Sequence, residues 1–265
     1  MNSKSRIASI LQANSLDAAV TGFPTFHLSA LKLPTELDFQ LPTNLRLGHL
    51  AERIVSELIQ SSTNYTILYE NFQIIEHQKT IGEIDFIIEN VQEKKLFHLE
   101  LAYKFYLFDP NISPEPINNW IGPNRNDSLI EKLNKLKTKQ FPLLYDSRTA
   151  SSIEPIDINS ISQALCLLVS LFVPYEFKTK LPPVYEKAIK GYYLNFDTFL
   201  TLDNAEKSYY LPPKKEWGMD PSENEIWIDL KDIEKQLQTN MHEKQAPLCW
   251  QKQQGTYLSF FIVWW

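Results

Sequence analysis

The chain has 265 residues, and its 43% hydrophobic and 12% aromatic content supplies enough bulky side chains for an apolar core, which excludes wholesale disorder. It carries 26 basic and 32 acidic residues, and the formal net charge of −6 excludes an overall positive field that would draw the protein to nucleic acid or to an anionic membrane. Any binding to nucleic acid must therefore depend on a local surface.

The first elements in chain order are a packing segment, a helix and a group of strands. Prolines divide residues 1–46 into short helical turns, to which we assign no chemistry. From Leu47 the apolar residues recur on one half of a helical wheel, which predicts a helix that ends before the polar residues 61–64. Three extended runs then predict an antiparallel meander, and they cover residues 65–78, 82–90 and 95–108.

The chain continues with a loop, a second helix and a long apolar run. A proline-rich loop covers residues 109–126. It precedes a helix whose leucines form an apolar stripe, and this helix ends before Pro142. The apolar run 161–173 is compatible with a central strand and equally with a buried helix. A further helix is predicted around residues 229–239. We expect an N-terminal packing segment, a core, and an aromatic-rich C-terminal extension or small subdomain, over residues 1–46, 47–174 and 175–265.

Several kinds of site are not predicted. The seven glycines are widely separated, whereas a loop that cradles a phosphate needs two or three glycines within about six residues. Cys166 and Cys249 are isolated and the five histidines form no HExxH pattern, so neither a zinc site nor a disulfide framework is expected. The most apolar stretch, residues 164–173, is about half the roughly 20 residues of a membrane helix. With no stretch resembling a signal peptide, these features predict a soluble cytoplasmic protein without a membrane partner.

Two neighbouring strands carry acidic residues opposite their apolar faces. In the third extended run the odd positions are all apolar, whereas the even positions include Glu100 and Lys104. The second run places Asp85 on the face opposite its own apolar residues. A hairpin between these runs brings Asp85 beside Glu100, and the helix that begins at Leu47 adds Glu52.

Carboxylates that converge in this way predict a metal site. They repel one another in a partly buried place, and a hard divalent cation with oxygen ligands removes that repulsion most simply. We expect Glu52, Asp85 and Glu100 to hold Mg²⁺, or Mn²⁺ in its place. Such an ion binds a phosphodiester oxygen, lowers the pKa of a bound water and stabilises the leaving oxygen, while a nearby lysine positions or deprotonates the water.

The sequence around these acidic residues resembles the PD-(D/E)XK nuclease superfamily, and most closely its branch of Holliday-junction resolvases. The segments that carry the resemblance are GHLAE at 48–52, GEIDFII at 82–88 and LFHLELAYKF at 96–105. The GEIDF, ELAYKF and WIGPN segments are also similar to an uncharacterised bacterial family, domain of unknown function 1853. The superfamily resemblance implies an α/β (α+β) fold, a restriction-endonuclease-like mixed sheet flanked by helices, with the three acidic residues in the metal-site roles.

The superfamily pattern has a lysine where this chain has Ala102. The nearest lysine on the same face is Lys104, roughly 13 Å along the strand from Glu100. It reaches a metal on Glu100 only if the strand bulges or the side chain folds back. Lys104 is the expected catalytic lysine, and its possible substitutes lie on the following helix, namely Lys132, Lys135 and Lys139.

Further site residues are expected on and before that helix. Gln140 falls on its apolar face, and several superfamily nucleases carry a glutamine on the helix after the third strand, so we expect it to orient the site or the substrate. His98 shares a strand face with Glu100 and is expected to be a hydrogen-bonded structural histidine. The residues expected to contact substrate are Asn124, Arg125, Lys132 and Lys135.

The function expected from this pattern is metal-dependent hydrolysis of phosphodiester bonds in DNA. Two alternatives stay open: a catalytically inactive nuclease fold that serves as a nucleic-acid-binding or protein-interaction module, and a hydrolase of a small phosphorylated substrate. DNA is the expected partner, a homodimer is compatible with the sequence, and no particular protein partner is indicated.

Overall fold

The computed structural model of the chain describes residues 2–37, 39–153, 155–204 and 206–265. The helices of this part are α1 (Ser3–Leu11), α2 (Ala18–Thr21), α3 (Leu47–Ser61), α4 (Leu129–Lys135), α5 (Ser147–Ser152), α6 (Pro183–Glu186), α7 (Phe196–Thr201) and α8 (Leu230–His242). Its strands are β1 (Asn14–Ser15), β2 (Tyr65–Glu76), β3 (Lys79–Asn90), β4 (Lys95–Phe108), β5 (Trp120–Ile121), β6 (Ile161–Pro174), β7 (Ile189–Asn195), β8 (Ser208–Tyr210), β9 (Leu248–Gln253) and β10 (Thr256–Val263).

These strands form a ten-stranded mixed sheet with the order β2-β3-β4-β6-β7-β10-β9-β8, while β1 pairs with β6 and β5 with β4. Strands β2, β3 and β4 are antiparallel neighbours, whereas β7 runs parallel to both β6 and β10. The predicted mixed sheet with flanking helices is therefore confirmed. The apolar run 161–173, compatible in the sequence with a strand or a helix, is the strand β6.

Helix α3 and strand β4 follow from the apolar patterns of their sequences. The side chains of Leu50, Ile54 and Leu58 recur with helical spacing and are at most 1% exposed. Burial of each such side chain contributes about 1.5 to 3 kcal/mol, which fixes this face of α3 against the core. In β4 the apolar face is buried as expected, and the face with His98 and Glu100 is buried as well. Glu100 consequently lies in the interior, whereas Asp85 on the neighbouring strand is half-buried.

By its contacts the chain divides into two compact units. Unit 1 comprises Met1–Asn14, Lys104–Ile130 and Val169–Trp265, and unit 2 comprises Ser15–Tyr103 and Glu131–Leu168. The aromatic C-terminal residues build the core of unit 1, where Phe199, Tyr209 and Phe260 pack together. In unit 2, Ile84 and Ile87 of β3 pack with Leu144 and Ile161. The segment boundaries expected after residues 46 and 174 stay predictions.

No helix in the described ranges is both long and apolar enough to cross a membrane. Cys166 and Cys249 are buried free thiols, and burial raises the pKa of the Cys166 thiol to about 12.

Candidate metal centre

Asp85 and Glu100 face each other on the neighbouring strands β3 and β4 of unit 2. The ladder between these strands pairs Phe86 with Leu99, and the two acids are the next residue on either strand. The backbone N–H of Leu101 donates to Oδ2 of Asp85 at 2.8 Å, and the backbone of Asp85 forms a hydrogen bond to the Glu100 carboxylate. Each acid thus accepts a backbone hydrogen bond from the other strand, which fixes both carboxylates at one place in the sheet.

The electrostatics of this pair favour a bound proton or a bound cation. Burial raises the pKa of Asp85 to about 7, and the negative charge of Glu100 adds to this shift. Burial likewise raises the pKa of Glu100 to about 7. The charge of Glu52 raises the pKa of both acids, whereas that of Lys132 lowers both. Two such acids near neutral pH gain from any positive charge placed between them.

Gln140 contacts Glu100 directly. Its side-chain Nε2 donates to Oε2 of Glu100 at 2.5 Å, and its Oε1 accepts from Nζ of Lys132 at 2.9 Å. Because a lysine ammonium can only donate, the amide of Gln140 must turn its NH₂ group toward Glu100. The structure therefore brings Gln140, Lys132 and Glu100 into one hydrogen-bonded chain.

A π turn connects α4 to Gln140. Helix α4 ends at Lys135 and the π turn covers Leu136–Gln140. Eight residues of continuous α-helix make about 2.2 turns, which would leave Gln140 roughly 80° away from Lys132 around the axis. A π turn is wider and rotates the chain less per residue, so it brings the two side chains closer in direction.

His98 contacts Glu100 from the opposite side. Its Nε2 lies 2.8 Å from Oε1 of Glu100, and both side chains are completely buried. Burial lowers the pKa of His98 to about 4, so its ring is neutral at neutral pH. Nδ1 of His98 lies 3.3 Å from Nε2 of Gln163 on β6. The expected hydrogen-bonded histidine is present. Sequence reasoning missed Gln163, for which the only signal was a polar residue at the start of an apolar run.

Glu52 lies at the edge of this group. Its carboxylate is 27% exposed, and its Oε2 lies 3.0 Å from Nδ1 of His49 on the same helix. Among the residues that the structure describes, no group of three or more His, Cys, Asp or Glu side chains is arranged to hold a metal ion. Asp85 and Glu100 are a pair of oxygen donors, and Mg²⁺ usually takes one or two carboxylates together with waters and substrate phosphates. The two acids present therefore fit that cation.

The lysines are placed differently from one another. Nζ of Lys104 lies 2.8 Å from Oδ2 of Asp127, and both residues belong to unit 1. In unit 2, the charges of Lys132 and Lys135 lower the pKa of Glu100. Lys139 is exposed. The lysines whose charges act on Glu100 thus lie in the last turn of α4.

Asn124 and Arg125, both expected to contact substrate, have partners within unit 1. Oδ1 of Asn124 accepts from the backbone N–H of Ala246 at 2.8 Å. Arg125 donates to Asp109 at 3.2 Å and its guanidinium lies 4.4 Å from the ring centre of Trp265. In the free protein these two side chains support the local fold of unit 1.

Comparison with known proteins gives a family for the chain. The family model described as Domain of unknown function (DUF1853) matches residues 8–257. No curated protein and no solved structure matches the sequence. Since the match spans nearly the whole chain, the protein belongs to the DUF1853 family.

Proposed function

We propose that this chain is a metal-dependent nuclease of the PD-(D/E)XK type, which hydrolyses phosphodiester bonds in DNA. The observation that carries the proposal is the pair formed by half-buried Asp85 and fully buried Glu100, whose pKa values are both raised to about 7. Two desolvated acids of this kind are unfavourable without a positive charge, and strongly shifted acids are typical of functional sites. The order of a helix-borne Glu52, the GEID strand and the Glu100 strand agrees with the superfamily pattern.

In this proposal Asp85 and Glu100 hold Mg²⁺ or Mn²⁺. When bound, the cation supplies activation of a water and stabilisation of negative charge on the phosphodiester. Gln140 keeps Glu100 turned toward Asp85 through its hydrogen bond to Oε2. One carboxylate oxygen of Glu52 contacts His49. The negative charge of Glu52 acts on Asp85 and strengthens the attraction of the site for a cation.

The lysine of the site is a choice between Lys104 and Lys132. The contacts favour Lys132, because its charge acts on both acids and its Nζ is held by Gln140. Lys104 is paired with Asp127. We therefore assign Lys132 the role of positioning the attacking water, and Lys104, the nearest lysine to Glu100 on the same strand face, remains the alternative.

DNA is the proposed substrate because positive charge is concentrated next to the acidic pair. The last turn of α4 and the π turn carry four lysines within eight residues: Lys132, Lys135, Lys137 and Lys139. Phosphate groups of a nucleic acid backbone are attracted to such a local group even in a protein with net negative charge.

Cleavage assays on linear, branched and single-stranded DNA with Mg²⁺ or Mn²⁺ test the proposal. We expect the wild type to cleave at least one of these substrates and Glu100→Gln to lose nearly all activity. Glu83→Gln is the matched control, because Glu83 lies on β3 and its carboxylate is bonded to Gln73 instead of the site. Cleavage by Glu100→Gln at the wild-type rate, or a wild type inert on every substrate, would contradict the proposal.

A second candidate is an inactive nuclease fold that binds nucleic acid. Ala102 favours it, because this position has no lysine and its side chain is 7% exposed. This candidate predicts DNA binding that is independent of metal and unchanged in Asp85→Asn. Binding that requires Mn²⁺ and weakens in Asp85→Asn favours the nuclease.

A further inference from the structure

A hydrogen-bonded chain of Gln163 and His98 lies behind Glu100. Nε2 of Gln163 donates to the backbone carbonyl of Phe141 at 2.7 Å. A carbonyl oxygen only accepts hydrogen bonds, so this contact requires the NH₂ group of the Gln163 amide on that side. The same NH₂ group lies 3.3 Å from Nδ1 of His98. The backbone carbonyl of Phe141 therefore sets the orientation of the Gln163 amide and, through it, the hydrogen bonding of His98.

This orientation determines which nitrogen of His98 carries the hydrogen. Because the NH₂ group of Gln163 donates to Nδ1, Nδ1 presents its lone pair and the hydrogen lies on Nε2. Nε2 is 2.8 Å from Oε1 of Glu100, so the ring donates to the carboxylate. Since both His98 and Glu100 are 0% exposed, bulk water does not compete for this bond.

The two oxygens of Glu100 are thereby held from two consecutive backbone positions. Gln140 donates directly to Oε2, and the carbonyl of Phe141 acts on Oε1 through Gln163 and His98. Proline at position 142 fixes the backbone that follows both. A carboxylate held in this way loses little conformational freedom when it binds a cation. Loss of such supporting contacts commonly weakens metal affinity by about one to two orders of magnitude.

We propose that Gln163 and His98 are positioning residues that hold Glu100 in the orientation needed to bind a divalent cation together with Asp85. This inference rests on the proposed function. Neither residue touches substrate or the reacting atoms, and both act through Glu100. A purely structural role would instead affect only the stability of unit 2.

The test measures Mn²⁺ affinity by calorimetry in wild type, Gln163→Met, His98→Leu and His98→Gln. We expect Gln163→Met and His98→Leu to bind Mn²⁺ about tenfold more weakly or worse. His98→Gln retains a side-chain NH₂ donor and should recover part of the affinity that His98→Leu loses. In the metal-free protein, nitrogen NMR of the His98 ring should show hydrogen on Nε2, and Gln163→Met should change the chemical shift of Nδ1, because the Nδ1 lone pair loses its hydrogen-bond donor.

Asn64→Leu is the control for general destabilisation. Asn64 is buried in the same unit and bonds to the backbone of Ala30 and Lys32. The substitution Asn64→Leu should lower the urea concentration at the midpoint of unfolding without changing the Mn²⁺ affinity. If Gln163→Met leaves both the Mn²⁺ affinity and the Nδ1 chemical shift unchanged, or if Asn64→Leu loses as much affinity, the inference is overturned while the proposed function stands. A wild type that binds no Mn²⁺ would overturn the proposed function and this inference with it.

Discussion

The desolvated carboxyls of half-buried Asp85 and buried Glu100 make the stability of the metal-free protein depend on pH. Their pKa values in the folded protein are raised to about 7, mainly by burial. Unfolded acids titrate near pH 4, so between about pH 4 and 7 the folded protein binds more protons than the unfolded chain. This pair therefore makes stability fall as pH rises through that window. His98 acts in the opposite direction, because burial lowers its pKa to about 4.

Comparison of wild type with Asp85→Asn isolates the contribution of the carboxyl pair. The asparagine retains an oxygen that can accept from the N–H of Leu101 and removes one charge. We expect the stability advantage of wild type over the variant to shrink as pH rises from about 5 to 8, in urea unfolding without metal. Addition of Mn²⁺ at the upper pH should stabilise wild type more than the variant, because the cation replaces the missing protons.

Glu83→Gln provides the reference for an acid of the same strand outside the pair. Its pH profile should run parallel to that of wild type. If the profile of Asp85→Asn also runs parallel to wild type from about pH 5 to 8, the pKa of Asp85 is not raised in the way that the structure indicates.

Among the secondary structure elements, the π turn Leu136–Gln140 has the most direct consequence for the site. It follows α4 without a break and ends at the residue that contacts Glu100. Single π turns inside helices occur frequently at functional sites. The extra residue disturbs the regular α-helical hydrogen bonds, so a π turn persists only where other contacts stabilise it. Here the supporting contacts are the bonds from Lys132 to Gln140 and from Gln140 to Glu100.

Insertion of one alanine after Thr138 tests this role of the π turn. One more residue rotates Gln140 by about 100° around the helix axis, which turns it away from Lys132 and breaks its bond to Glu100. We expect a loss of Mn²⁺ affinity of about tenfold or more, comparable to Gln140→Met, with an unchanged far-ultraviolet dichroism spectrum. Thr138→Ala keeps the turn length and should bind Mn²⁺ as wild type does. An unaffected insertion variant would show that the contact of Gln140 with Glu100 does not depend on the π turn.

The elements with a clear period were predictable from the sequence. Helix α3 and strands β2, β3 and β4 begin and end close to the predicted residues, because alternation and helical spacing encode burial directly. The π turn was not predictable, because residue spacing along α4 also fits a continuous α-helix. Whether β6 is a strand or a helix was not predictable either, since a fully apolar run lacks periodicity.

The site was predictable only in part, because its contacts join residues distant in sequence. The proximity of Asp85 and Glu100 followed from hairpin pairing, which is a local rule. The contact of Gln163 with His98 joins β6 to β4 and has no local signature. The partners of Lys104 and Lys132 likewise depend on which helix packs beside the strands. The positions of such side chains require the three-dimensional structure.

For the whole molecule, the formal net charge of −6 means that binding to DNA must depend on few cationic side chains. The salt dependence of such binding counts these side chains, because the logarithm of affinity falls by about 0.9 per decade of salt for each phosphate neutralised. The charge of Lys135 acts on Glu100, and the residue lies in the last turn of α4. We therefore expect Lys135 to contact the DNA backbone next to the proposed metal site.

Lys135→Gln should weaken DNA binding at every sequence tested and reduce the salt slope by about one. The measurement is fluorescence anisotropy over a series of salt concentrations, with Ca²⁺ in place of Mg²⁺ so that the DNA is not cleaved. Lys94→Gln is the control, because Lys94 lies in the turn between β3 and β4 and contacts Glu89. It should leave the slope unchanged, since its charge is distant from the acidic pair along both strands. Equal slopes in Lys135→Gln and wild type would exclude α4 as the surface that binds the DNA backbone.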